Sequence, residues 1–331
     1  MIIGGLGVGL QVNPRRTAQK FMASKHSVEI QVRLGHEITS AMKHYAVDQI
    51  PPHPAYHFTT VAGMRGILES RSFWVTLATA SKDSSEIAYA LSRARQLLSR
   101  PAPTPDPSFR SEVIELLNVE NSALVSMLGW KTYLLSFRTN ADGSGHWKEY
   151  GDSGEGAALA FAMRPLAVPG LLFLPVIYDP AQQDRLIGEF VDAVAIQVTR
   201  LSQHWPFKEF LALRRLSIHL AALGLWTLAP LIKAPNFSDE QEWRLIVVDA
   251  EHAEVRHEKN LSSETFHRQF AGRDIPYRKL LYDALPLLSI ELGANAPIAT
   301  DDSALVQLAG EAAIPGTPVS ISRSRVTLEN A

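Results

Sequence analysis

Apolar residues at Leu34, Ile38, Met42 and Tyr45 recur at helical spacing and predict an amphipathic helix over about 30–47. Pro51, Pro52 and Pro54 then break the chain, and a single domain is expected from about residue 55 to the end. A short strand ending in His57-Phe58-Thr59 leads into a helix starting at Val61. Ser84 or Ser85 can cap a helix that carries Ile87, Leu91, Ala94 and Leu98 on one face. After a proline-rich loop at 100–108, residues 111–127 again read as helical. Apolar runs at 132–137, 157–161, 172–178 and 243–248 predict strands, as do shorter runs at 287–292 and 318–322. Two helical blocks, 181–201 and 207–226, interrupt the series. Strands and helices do not alternate regularly, which argues against a doubly wound parallel sheet. An α+β fold is expected, with a mixed or antiparallel central sheet and inserted helices.

Composition narrows the function. The 331 residues are 46% hydrophobic and 20% charged, enough to build a full core. No run of eighteen or more apolar residues occurs, so no membrane-spanning helix is expected. The chain has no cysteine, which excludes disulfides, thiolate metal sites and cysteine nucleophiles and fits a reducing cytoplasm. A net charge of −2 disfavours a strongly basic nucleic-acid binder, although residues 1–54 are mildly basic. Arg256, Lys259, Arg268, Arg273, Arg278 and Lys279 make 256–279 locally basic, diluted by Glu258, Glu264 and Asp274. His252 and His257 lie among Glu251, Glu254 and Glu258, but no His-Glu-x-x-His pattern occurs and no metal is expected.

Four clusters could carry chemistry. On the first strand His57 and Thr59 share a face and can bond sugar hydroxyls or a carboxamide; a strand-end histidine bonded to a carbonyl accounts for the same pattern. Phe73-Trp74-Val75-Thr76 and Lys82-Asp83-Ser84-Ser85-Glu86 form the second, where a helix cap competes with a cleft lining. In the third, Trp147, Tyr150, Gly151, Gly154 and Gly156 offer rings that can stack on a flat group, or simply a turn with aromatic packing. The fourth is Ser238-Asp239-Glu240-Gln241-Glu242-Trp243-Arg244, running into an apolar strand. If the strand has already begun, Glu240, Glu242 and Arg244 share a face, and paired carboxylates there could stabilise developing positive charge. A surface ion cluster is the plainer account.

Taken in order, YHFTTVAGMRGILESRSFW, KDSSE, LLSF, HWKEYGDSGEGAALAF, VIYD, FSDEQEWRLI, IPY and IELG resemble a prokaryotic family catalogued as domain of unknown function 2971, over about residues 55–326. The chain departs from it in having Lys82 where Asn is common and Leu135-Ser136-Phe137 where Cys-Phe-Ser is common. Tyr56-His57-Phe58-Thr59 followed by a helix also resembles the opening of ADP-ribosyltransferase toxins. That resemblance implies an ADP-ribosyltransferase-like fold and an NAD-consuming enzyme, transferring ADP-ribose to a nucleic-acid or protein acceptor or hydrolysing NAD. A setting as toxin or phage-defence effector would follow. It implies Glu242, His57 and Glu240 as catalytic, and Tyr56, Thr59, Trp74, Ser136, Trp147, Tyr150 and Arg244 as NAD contacts. Two other readings compete: a non-catalytic nucleic-acid-binding or sensor module, and a carboxylate-based nuclease or glycosidase.

Overall fold

The computed structural model describes residues 53–80, 84–101, 106–118, 130–163, 171–202, 207–250, 260–270 and 272–326. The leader with its predicted helix, Lys82, Asp83, His252 and His257 lie outside the described residues. The strands are β1 (Ala55–Thr59), β2 (Ser72–Leu77), β3 (Trp130–Arg138), β4 (Ala157–Phe161), β5 (Leu171–Pro175), β6 (Glu242–Ala250), β7 (Phe266–Phe270), β8 (Arg273–Leu281), β9 (Leu287–Leu292) and β10 (Ser320–Arg323). The helices are α1 (Val61–Ser70), α2 (Ser84–Leu98), α3 (Pro107–Asn118), α4 (Ser144–Glu149), α5 (Pro180–Ser202), α6 (Phe207–Leu228) and α7 (Ser303–Ala312). The fold is α+β, with one mostly antiparallel sheet in which β9 and β10 run parallel.

Local chemistry starts and stops these elements. Thr60 caps α1 by accepting the Gly63 amide at 2.9 Å, and Asp302 caps α7 by accepting the Leu305 amide at 2.8 Å. Helix α6 is apolar nearly all round its C-terminal half and is correspondingly buried there. Its Gly224 lies directly against the buried ring of Phe190 on α5, where a β-carbon would collide with the ring. The chain begins β6 at Glu242, two residues later than a shared face for Glu240 requires: Pro235–Glu240 form a 3-10 turn, and Gln241 takes a left-handed φ of 44°. Glu240 therefore precedes the strand and does not share its period.

The sheet forks at β3. A strand has two edges, and β3 lends one of them over its whole length to β6, from Trp130↔Ala250 to Arg138↔Glu242. The other edge is divided: β1 meets it at Tyr56↔Arg138, and β2 at Thr76↔Leu134 and Leu77↔Tyr133. Two wings diverge from there, β1-β4-β9-β10 and β2-β8-β7, while β5 extends the sheet beyond β6.

Each sheet face has its own core. On one, Phe73, Tyr133, Leu135, Phe137, Leu159, Phe161, Trp243, Leu245 and Val247 pack with Met64, Ile67 and Leu68 of α1 and Leu305 and Ala309 of α7. On the other, Leu174 and Ile246 pack under α2, α3, α5 and α6. Phe58 and Ala158 lie on this second face too, under Trp147 of α4. The helical layer thus leaves part of that face open to other uses.

Candidate functional site

Across an antiparallel ladder paired residues project to the same side, and along a strand they alternate. Tyr56↔Arg138↔Glu242 and Ser136↔Arg244 therefore lie on the helical face, with Trp74 and Thr76 on the same side through Thr76↔Leu134. His57 and Thr59 alternate away from Tyr56 and pair with Leu159 and Ala157 of the opposite core. The structure does not bring His57 and Glu242 together, because the sheet stands between them. His57 instead fills the fork. Its Nδ1 lies 3.0 Å from the Ser136 carbonyl oxygen, and its ring contacts Phe73 and Phe137 at centroid distances of 6.0 and 5.7 Å.

The residues that do converge form a box of six charges at the ends of β3 and β6. Arg244 Nε donates to Glu242 Oε1 at 2.7 Å, and Nη2 donates to Glu242 Oε2 and to Glu86 Oε2 of α2, both at 2.8 Å. Arg244 Nη1 donates to the Pro230 carbonyl at 2.5 Å. Lys233, just beyond α6, reaches Glu86 Oε1 and Glu240 Oε2, each at 2.8 Å, and Glu242 Oε2 at 3.5 Å. Arg138 Nη2 meets Glu240 Oε2 at 2.6 Å, and its Nη1 donates to the Glu240 carbonyl at 2.9 Å. Arg138, Lys233 and Arg244 thus balance Glu86, Glu240 and Glu242. Two tyrosines border the box. Arg138 lies 4.9 Å from the centre of the Tyr150 ring, and Tyr178 Oη accepts the Glu242 amide at 3.1 Å.

Burial alone would raise the Glu242 carboxyl, but Arg244, Arg138 and Lys233 outweigh it and hold the group well below the usual carboxylate range. Burial, then the Glu240 charge, pushes the Tyr150 phenol up to about 12; burial and Glu242 do the same to Tyr178. At neutral pH the box therefore offers fixed charge and neutral phenols, which suits stabilising a developing cation better than moving protons. Glu242 is only 2% exposed and committed to Arg244 through both oxygens, whereas Glu240 at 16% is the most exposed acid of the set.

The remaining expected contacts divide. Trp147 is 1% exposed, and its indole N–H donates to the Ala141 carbonyl at 2.7 Å, so it is a core residue that cannot stack on a ligand. The α4 turn buries it because Gly151 packs directly on the indole and leaves no opening. Ser136 sits at the fork, and Trp74 is well exposed on β2. Arg138, Lys233 and Tyr178 were not expected in a site. A lysine between Pro230 and Pro235, just after an apolar helix, was the available signal for Lys233. Among the described residues no three His, Cys, Asp or Glu side chains gather in a way that could hold a metal ion, and no helix is long and apolar enough to cross a membrane.

Burial lowers the His57 pKa, against the pull of its Ser136 bond, and burial also lowers His146. The unfolded chain then takes up these protons at a higher pH than the folded one. Stability should fall as pH drops through about 6.5. Urea midpoints at pH 7.5 and 5.5 should differ in the native chain and differ less in His57→Asn; an equal difference in both would show that His57 does not contribute.

Comparison of the chain with protein-family models, with curated proteins and with solved structures finds no match to any of them. The charged box and the fork have to be interpreted from their own geometry.

Proposed function

We propose that the protein consumes NAD by breaking the bond between nicotinamide and ribose, with Glu240 as the carboxylate that faces the sugar. The observation that carries this reading is the position of Glu240 at the mouth of the box. It is the most exposed acid there, fastened by Arg138 and Lys233, with Tyr150 beside it under the Arg138 guanidinium. The bond electrons leave with nicotinamide, and an oxocarbenium-like ribosyl cation remains for water or an acceptor hydroxyl to capture. A fixed carboxylate near that cation lowers the barrier without transferring a proton. Tyr56 and Ser136 share the same sheet face and are the remaining candidates for contact with the dinucleotide. The resemblance to ADP-ribosyltransferase toxins names the substrate class, but the His57–Glu242 pair it implies is not formed, so the reading stands on Glu240. Glu242 and His57 have different parts in this reading: Glu242 holds Arg244, and His57 holds the fork.

The test is nicotinamide release from NAD by the full chain, followed by chromatography with protein and nucleic-acid acceptors present. Glu240→Gln should lower the rate by about 10²–10³ while remaining folded at the assay temperature, with a lower melting temperature because Arg138 and Lys233 lose a charge partner. His57→Asn should retain most of the rate. A folded native chain that releases no nicotinamide, or a Glu240→Gln variant as fast as native, would overturn the reading.

A further inference from the structure

Among the described residues, the core of the helical layer includes no residue of β2, β8 or β7, and the same face of that wing carries a row of aromatic rings. Phe266 stacks on Tyr277 at 5.6 Å and 27°, and Tyr277 stacks on Trp74 at 4.4 Å and 22°. The three rings come from β7, β8 and β2, through Phe266↔Tyr277↔Thr76 and the neighbouring Trp74↔Lys279 pair. Tyr277 is buried between its neighbours, while Trp74 is 42% exposed at the end of the row. Nearby Leu281, on the same face, is equally exposed.

Cations flank the row on the same face. The Lys279 ammonium lies 4.5 Å from the Phe266 ring centre, and the Arg268 guanidinium lies 6.0 Å from Trp74 while donating to Thr76 Oγ1 at 3.2 Å. Arg273 belongs to that face by register. The acid of these three strands, Asp274, alternates to the other side and pairs with His267 at 2.6 Å. Glu264 and Asp283 lie beyond the strand ends. Within the three strands, positive charge and aromatic area are therefore sorted onto one surface.

We propose that this surface binds single-stranded nucleic acid, stacking a base on the open side of Trp74 as a fourth ring of the row and meeting backbone phosphates with Arg268 and Lys279. Flat π-surface next to cations, without carboxylates, matches the alternation of base and phosphate in an unpaired strand. A duplex hides its base faces and gains nothing from Trp74. A protein partner of acidic charge would use the cations but not the stacked edge. The proposal rests on the wing alone and needs neither the charged box nor NAD.

Fluorescence anisotropy of a labelled oligothymidine of about 12 nucleotides, titrated with the full chain, tests it. Native protein should bind, and affinity should fall as salt rises from about 50 to about 200 mM. Trp74→Ala should weaken binding about tenfold, with Trp74→Phe recovering most of the loss. Arg268→Gln with Lys279→Gln should flatten the salt slope by about 0.7 per removed contact. Melting temperatures separate loss of the surface from loss of the fold. Native protein that does not bind, a folded Trp74→Ala variant with native affinity, or equal affinity for a duplex of the same length would each overturn the proposal. Nicotinamide release does not enter the readout, so this surface and the NAD reading fail or stand separately.

Discussion

Arg244→Met is expected to destabilise the fold by about 3–5 kcal/mol. The loss comes less from the missing ion pair than from what remains. Glu242 would keep a buried charge with Lys233 at 3.5 Å and Arg138 at 3.8 Å in place of its two short bonds to Arg244. The Pro230 carbonyl and a Glu86 oxygen would lose their donor as well. Removing both charges is the informative comparison. Arg244→Met with Glu242→Leu should be more stable than Arg244→Met alone, because no uncompensated charge is left behind. Urea unfolding followed by circular dichroism measures both, and simple addition of two large costs would contradict the argument. The acid limb gives a second measure. The folded Glu242 carboxyl titrates well below its unfolded value, so the unfolded chain binds that proton first. Its contribution is complete above about pH 5 and fades as pH falls toward the folded value. Arg244→Met should remove much of that dependence.

Phe137→Ala is expected to cost a similar amount, about 3–5 kcal/mol, through a cavity at the fork. The ring is fully buried and touches Phe173 at 5.6 Å, His57 at 5.7 Å, Phe73 at 6.1 Å and Phe161 at 6.3 Å. These partners come from β5, β1, β2 and β4, so one side chain bonds both wings to the spine. The backbone offers little compensation, since β1 and β2 meet β3 through few paired residues. Phe137→Leu should cost much less, because it retains most of the volume. The same unfolding measurement separates the two variants, and equal losses would show that the site collapses around any smaller residue.

The sequence was legible where burial is one-sided or complete. Helix α2 shows its face in Ile87, Leu91, Ala94 and Leu98, and the apolar runs of β3, β4, β6 and β9 lie close to the observed strands. Strands β7 and β8 were not legible. Their outward positions hold Phe266, Tyr277 and Lys279 rather than simple polar residues, and Pro276 interrupts the run. The apolar-polar alternation is lost because that face is itself aromatic. Helix α7 has its sequence signal in Asp302 and in the spacing of Leu305, Ala309 and Ala312. The cluster around Glu240, Glu242 and Arg244 was readable as a group of charges, because these residues stand at the mouth of an apolar strand. Arg138, Lys233 and Tyr178 reach it from elsewhere in the chain, and no local pattern announces that. The side of the sheet that His57 takes is not written in the sequence, for a simple geometric reason. Adjacent strand residues point to opposite sides, and nothing in Tyr56-His57 says which side holds the carboxylates.

The reach of Glu86 has a mechanical consequence. It lies on α2, 158 residues from Arg244, yet bonds it directly. Apolar contact between the helical layer and the sheet is non-directional and tolerates sliding. An arginine fork is not so forgiving, since a shift of one helical turn would leave both partners stranded in a dry interior. Charge, rather than grease, therefore sets the docking position of α2 on the sheet, as a key sets the angle of a shaft.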